Sequence, residues 1–247
     1  TDEKANKAMS DFLADKIRER VNDPQVAEKL IPKDHGFGTR RVPLETNYFE
    51  SYNQDNVELI DLNETPIERI VENGILTTEK EIEFDVIIYA TGFDAVFGSY
   101  NRIDIQGVDE RSLRDQWEEE LATFLGIQTH GFPNMFMIMG PHAMQGNNPR
   151  NIEFNVQWIT DLIKRMNERG LTRAEASLDS QNGWHDYVLE QGEDLLLTQV
   201  DSWFTGINSN IEGRQTRITA IYRGSMQSFR SRCEEVAQNG YKELDLR

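Results

Sequence analysis

Apolar side chains recur at helical spacing in several parts of the chain and predict most of its helices. Near the start, this period predicts an amphipathic helix over 3–21. Asp23-Pro24, an N-cap residue followed by proline, predicts a short second helix that ends at Leu30. Further helices are expected at 112–121, 182–197 and 226–238. The longest should end at Gly170 and bury a stripe made of Ile152, Val156, Ile159, Ile163 and Met166.

Short runs of strand-forming residues between these helices predict β structure. The dipeptide Asn73-Gly74 predicts a hairpin turn between strands at 67–70 and 75–77. The run at 83–89 ends in four consecutive strand formers, a pattern typical of a strand buried on both faces of a sheet. Together with the helices, these runs predict an α/β fold. Further strands are expected at 57–62, 134–139 and 218–222.

Composition narrows the classes of partner. The 247 residues carry 26 basic and 43 acidic side chains, and the net charge of −17 disfavours binding to nucleic acid or to anionic membrane surfaces. A single cysteine, Cys233, cannot form an internal disulfide, and no apolar run approaches the roughly 20 residues of a membrane helix. We therefore expect a cytoplasmic protein. The histidines show no metal-ligand spacing, so no metal site is predicted.

Two segments are candidates for cofactor chemistry. The predicted strand at 83–89 leads into Ala90-Thr91-Gly92, where small residues would let the backbone approach a ligand at the end of a sheet strand. The alternative is a strand that ends in an ordinary glycine turn. In so acidic a chain, the pair Arg40-Arg41 is a candidate phosphate or anion site, and the alternative is a solvated basic pair.

Five segments occur in an order that resembles the Baeyer–Villiger group of class B flavoprotein monooxygenases. The resemblance covers essentially the whole chain, and the order of the segments makes it far more specific than any one of them. The segments are DHGFGTRR at 34–41, YFESYNQDNV at 48–57, ATGFDA at 90–95, GFPNMF at 131–136 with a following Gly140-Pro141, and SWF at 202–204 with Gly206.

The resemblance implies a partial Rossmann-like flavoprotein with two dinucleotide-binding domains, each represented by its C-terminal segment. We expect a helical segment at 1–33, the second segment of an NADPH-binding domain at 34–84, and the second segment of an FAD-binding domain at 85–247. The glycine-rich fingerprints of the family's N-terminal half have no counterpart here. An N-terminal half carrying them is therefore an expected partner, in another chain or outside this sequence.

The resemblance also implies roles for the basic pair. Arg41 matches the residue that lies over the flavin and stabilises negative charge on its oxygen adduct, a role that suits a permanently charged guanidinium. Arg40 matches a lysine that holds the 2′-phosphate of NADPH. Trp203 matches a tryptophan that contacts the nicotinamide nucleotide, although an ordinary core residue is the alternative.

Further residues are implied to lie beside the flavin. Thr91, Gly92 and Asp94 match the segment that joins the two dinucleotide domains. Asn147 and Asn148 match a turn that contacts the flavin and shapes the substrate pocket. A lone histidine at position 142, after Gly140-Pro141, is more often structural than catalytic.

The implied activity is insertion of one oxygen atom of O₂ into a ketone, giving an ester or lactone, with consumption of NADPH and with FAD as cofactor. The alternative is a truncated, flavin-free descendant that acts as a non-redox isomerase, cyclase or binding protein. Two departures from the family pattern stand out: the segment 141–149 is shorter, which favours a different and bulkier ketone, and Gly213-Arg214 replaces a usual Gly-Lys.

Overall fold

The computed structural model divides into two structural units, and the first of them ends at Gly92. Two helices begin this first unit. The structure describes residues 2–144 and 146–247. Helix α1 (Glu3–Arg20) is capped by the Asp2 side chain, and α2 (Pro24–Leu30) is capped by Asp23. Both predictions are confirmed. The two helices pack around a small apolar cluster of Ile17, Val21 and Ala27.

A short helix and a three-stranded antiparallel sheet complete the first unit. Helix α3 spans Tyr48–Ser51, and the sheet joins β1 (Ile67–Val71), β2 (Gly74–Thr77) and β3 (Glu81–Glu83) in that order. The predicted hairpin is confirmed, with its turn one residue earlier than expected, because Val71 pairs with Gly74. The strand predicted at 57–62 is wrong, since those residues belong to no β-ladder.

The strand predicted at 83–89 is the largest error. The ladder ends at Glu83, and Val86, Ile88 and Tyr89 are 73%, 84% and 69% exposed. A strand needs a neighbour to accept and donate its backbone hydrogen bonds, and among the described residues no strand pairs with residues 84–89. The apolar run is real, but in this chain it is not buried.

The second unit, Phe93–Arg247, contains four longer helices and a two-stranded sheet. Strands β4 (Ala174–Ala176) and β5 (Leu244–Leu246) pair antiparallel. The helices predicted at 112–121 and 226–238 are confirmed, whereas the one predicted at 182–197 lies earlier in the chain, because Ser177 caps it. The helices are α4 (Leu113–Glu119), α5 (Asn148–Arg169), α6 (Leu178–Glu190) and α7 (Met226–Gln238).

The strands predicted at 134–139 and 218–222 are wrong, although both segments reach the core. Asn134 and Met139 have positive φ angles of 60° and 54°, which bends the first segment out of an extended conformation. Met137 and Ile221 are nevertheless buried. The apolar pattern in these segments thus reports burial of irregular backbone.

The main core lies among α5, α6 and α7. Trp158 of α5 donates its indole N–H to the carbonyl of Cys233 on α7 at 2.8 Å. The capping of α5 by Gly170, with a φ of 67°, is confirmed. Its predicted apolar stripe is correct at two of five positions, because Ile159 and Met166 are buried whereas the other members are exposed, namely Ile152, Val156 and Ile163.

Candidate functional site

A cavity of about 730 Å³ lies within the first unit, between α1 and the loop that carries the basic pair. This volume is in the range of small-molecule sites. Apolar side chains form most of its wall, and Arg40 and Arg41 both line it. The structure therefore brings the two predicted basic residues to one cavity. The apolar wall includes Leu13, Ile17, Leu30, Phe37, Leu44 and Phe49.

Of three arginines at this cavity, two are held by carboxylates. Arg20 forms a two-pronged ion pair with Glu50 at 2.5 and 2.7 Å and also binds Glu45 at 2.6 Å. Arg40 lies 2.9 Å from a carboxylate oxygen of Asp34. Arg41 is exposed and forms no ion pair with any described residue. It is thus the guanidinium at this cavity that is available to an anion from outside the unit.

The carboxylate of Asp34 lies beside two groups that favour its charged form. A hydrogen bond with His35 is the main cause that lowers the pKa of Asp34, and the charge of Arg40 adds to it. Asp34 therefore stays ionised near neutral pH and competes with an outside anion for Arg40. An anionic ligand at Arg40 would have to displace or share this partner.

Thr91 and Gly92 end the first unit and are both exposed. Gly92 has a φ of 93°, and nothing lies within 4 Å of the position that a Cβ would take. Glycine is favoured here by its backbone conformation, and the open space leaves the peptide accessible to a ligand. The structure thus fits the predicted approach of a cofactor to this backbone.

Asp94 is the second residue of the second unit and is engaged with Arg214, a residue that the sequence prediction did not assign to the site. The Nε and Nη2 atoms of Arg214 donate to the two carboxylate oxygens at 3.0 and 3.4 Å. The guanidinium also lies 3.9 Å from the ring centroid of Phe97. Asp94 is therefore a member of an internal ion pair. The sequence signal that could have pointed to Arg214 was the replacement of the family's Gly-Lys by Gly213-Arg214.

Asn147 and Asn148 lie at the start of α5. Asn147 is the N-cap, and its side-chain oxygen accepts a hydrogen bond from the backbone N–H of Arg150 at 3.3 Å. Both asparagines are exposed. Their exposure and their place at the N-terminus of a long helix leave polar groups available to a ligand.

Trp203 begins a single 3₁₀ turn, Trp203–Thr205, that Ser202 and Thr205 stabilise by reciprocal hydrogen bonds. Its ring lies 4.2 Å from the ring of Phe204, centroid to centroid. Behind Phe204 lies Arg223, whose burial lowers its pKa to about 10. Trp203 is only partly buried, in contrast to the buried Trp117, Trp158 and Trp184.

His142 is completely buried. Its Nε2 lies 2.9 Å from the carbonyl oxygen of Thr219, its ring is 5.3 Å from that of His185, and its Nδ1 has no hydrogen-bond partner among the described residues. Burial is the main cause that lowers the pKa of His142 to about 4, and His185 adds to it. The ring is therefore neutral near pH 7 and lies away from solvent.

Comparison with known proteins places the chain among monooxygenases. No family model matches. The chain is 44% identical, over 98% of its length, to 2-oxo-Δ³-4,5,5-trimethylcyclopentenylacetyl-CoA monooxygenase of Pseudomonas putida. It is 38% identical over its whole length to acetone monooxygenase (methyl acetate-forming) of Gordonia sp. strain TY-5. It spans 45% and 46% of these two proteins, which is about half of their length.

Solved structures agree with the sequence relatives. The fold matches OTEMO in complex with FAD and NADP with a TM-score of 0.90 and 42% identity, and it matches the closed structure of cyclohexanone monooxygenase with a TM-score of 0.93 and 36% identity. Each match covers the whole chain and 45% or 46% of the solved one. The chain therefore belongs to the Baeyer–Villiger monooxygenase family, to whose C-terminal half it corresponds.

Proposed function

We propose that this chain is the C-terminal half of a flavin-dependent Baeyer–Villiger monooxygenase, which inserts one atom of O₂ into a ketone and consumes NADPH. The observation that carries the proposal is Arg41, which lies at an apolar cavity of about 730 Å³ and forms no ion pair with any described residue, in a chain of this family. The alternative of a flavin-free isomerase, cyclase or binding protein has no support among the relatives named above, which are all monooxygenases.

The residues present fit the cofactors that the solved relatives bind. FAD bound to the complete protein would supply the oxygen-activating chemistry. The exposed peptide at Thr91-Gly92 and the start of α5 at Asn147-Asn148 are the groups of this chain that would lie beside it. Arg40 would bind the 2′-phosphate of NADPH in competition with Asp34, and Trp203 would contact the nicotinamide nucleotide.

Arg41 would act by electrostatics. An apolar wall lowers the local dielectric, so that a fixed positive charge stabilises the negative charge that develops during oxygen transfer more strongly than it would in water. The guanidinium stays charged at every working pH, so its action does not depend on proton transfer. The apolar wall in turn binds the hydrocarbon part of a ketone and excludes water.

Replacement of Arg41 tests the proposal in the complete flavoprotein that contains this chain. We expect Arg41→Ala to lower ketone oxygenation by on the order of 10²- to 10³-fold while the flavin content stays unchanged. Arg69→Ala, an exposed arginine of β1, is the matched control and should keep wild-type turnover. Unchanged oxygenation in Arg41→Ala, or no NADPH oxidation by the wild-type protein with any ketone, would contradict the proposal.

The partner of this chain is proposed to be an N-terminal half that carries the FAD and NADPH fingerprints. The exposed run at 86–89, which has the composition of a buried strand, supports this assignment. Mass spectrometry of the purified protein should detect such a segment, in the same polypeptide or in an associated one. We also propose a cytoplasmic location, because the single cysteine, Cys233, is a buried free thiol.

A further inference from the structure

An ion pair in the second unit joins two segments that the proposed function places beside different cofactors. Asp94 follows Thr91-Gly92, and Arg214 follows Trp203 by eleven residues. Their side chains are only 17% and 16% exposed, and both guanidinium prongs face carboxylate oxygens. A two-pronged pair shielded from water is stronger and geometrically stricter than a surface pair.

Three further contacts strengthen this connection. The side-chain amide of Asn208 donates to the carbonyl oxygen of Phe93 at 3.2 Å, and its backbone N–H donates to the carbonyl of Arg214 at 2.9 Å. The second bond closes the loop 208–214 on itself. The guanidinium of Arg214 lies over the buried ring of Phe97, which prevents it from swinging away from Asp94.

Gly98 also fixes the position of the Asp94 carboxylate. A Cβ at Gly98 would lie 2.1 Å from the Cγ of Asp94 and 2.4 Å from its backbone oxygen. Only glycine at position 98 therefore permits Asp94 to fold back beneath it and face Arg214. Carboxylate, guanidinium, aromatic ring and glycine form one arrangement, which we call the Asp94–Arg214 latch.

We propose that Arg214 is a positioning residue, whose latch to Asp94 holds the Trp203 turn in the orientation that binds the nicotinamide nucleotide. The inference rests on the proposed function, because it takes the role of Trp203 from it. Arg214 is assigned no contact with substrate or cofactor. It acts through the loop 208–214, which continues the chain from the Trp203 turn.

The first test measures Trp203 directly and needs no turnover. Trp203 is partly buried whereas the other three tryptophans of this chain are buried. In the complete flavoprotein, the acrylamide quenching that is lost on Trp203→Phe therefore reports the exposure of Trp203. We expect Arg214→Gln to raise the quenching constant about twofold or more, and Arg214→Lys, which keeps the charge but loses the two-pronged geometry, to raise it by less. Arg217→Gln is the control, because Arg217 pairs with Asp201 at 2.6 Å in the same region but at 48% and 59% exposure.

The second test measures binding of NADP⁺ to the complete flavoprotein by calorimetry, together with steady-state kinetics. Arg214→Gln should raise the Kd of NADP⁺ and the KM of NADPH roughly tenfold, with kcat at saturating NADPH within about twofold of wild type. The double variant Asp94→Asn/Arg214→Gln should have the same Kd and KM as Arg214→Gln, because both changes remove the same interaction.

Several outcomes would overturn the latch. They are an unchanged quenching constant or an unchanged Kd in Arg214→Gln, equal effects in Arg217→Gln, or additive losses in the double variant. If Arg214→Gln does not fold, Asp94→Asn and Arg214→Lys give the same comparison. Failure of the wild-type protein to bind NADP⁺ would instead contradict the proposed function. If the wild type binds NADP⁺ normally and the variant is unaffected, only the latch is contradicted.

Discussion

At the scale of single residues, the structure divides the predicted site residues into those with available polar groups and those already engaged. Arg41 is exposed and has no ion pair within the described part of the chain, whereas Asp94 is held by Arg214 and Arg40 faces Asp34. Only three-dimensional contacts can make this division, because charge pairing depends on which side chains meet. The roles of these residues in catalysis and cofactor binding remain predictions.

Substitution of Gly98 tests its close contact with Asp94. Gly98→Ala should destabilise the fold by about 1–3 kcal/mol, because the new methyl group would overlap the Asp94 carboxylate and backbone. Gly183→Ala is the matched control. Gly183 lies within α6 with nothing near its Cβ position, so alanine should be neutral or stabilise by up to about 1 kcal/mol. Urea unfolding measures both, and equal stability of the two variants would contradict the overlap.

Burial of His142 predicts a dependence of stability on pH. Its folded-state pKa of about 4 lies below the usual value near 6.5, so the unfolded chain binds the proton more readily. Neutral His142 therefore makes its full contribution to the free energy of unfolding above about pH 6.5. This contribution, on the order of 3 kcal/mol, is lost as the pH falls toward 4. His142→Gln should show a shallower loss over this range in unfolding measured at several pH values. A loss as steep as that of the wild type would contradict this account.

At the scale of elements, helices were predicted well and strands poorly. The caps at Asp23, Ser112 and Ser225, like the terminator Gly170, act within one turn, so the local sequence contains the whole signal. A strand depends on a partner elsewhere in the chain. The predicted hairpin succeeded because its partner follows after two residues, whereas residues 84–89 pair with no strand of the described residues.

The N-cap of α7 gives a prediction at this scale. The Ser225 side chain accepts a hydrogen bond from the backbone N–H of Ser228 at 3.0 Å, so Ser225→Ala should lower the free energy of unfolding by about 1 kcal/mol. Gln227→Ala, an exposed change in the first turn of the same helix, should have little effect. Thermal unfolding compares the two, and a loss in Gln227→Ala as large as that in Ser225→Ala would exclude capping as the cause.

At the scale of the whole molecule, exposed apolar surface is the feature that bears on association with other chains. The structure contains no described helix that is long and apolar enough to cross a membrane. Among the described residues, no group of three or more histidine, cysteine or acidic side chains is arranged to hold a metal ion. Val86, Ile88 and Tyr89 nevertheless present apolar side chains to solvent next to the predicted cofactor segment.

This exposed run predicts that the isolated chain associates with itself. Sedimentation velocity should show concentration-dependent oligomers, and Val86→Ser/Ile88→Ser should reduce them by removing apolar surface. Leu62→Ser, at an exposed position outside this run, is the control and should leave association unchanged. In the presence of an N-terminal half, backbone amides at 86–89 should become protected from hydrogen exchange. A monodisperse isolated chain would contradict this prediction.

The sequence by itself determined the family, all but one of the predicted helices, the hairpin and the identity of the basic pair. These features depend on residue types at fixed spacing, and the family comparisons confirm the first of them. Only the tertiary structure decided that most of the run at 83–89 is exposed, that three of the five residues of the α5 stripe face solvent, and that Asp94 meets Arg214. Each of these facts depends on which distant segment comes to lie alongside, and local spacing does not encode that.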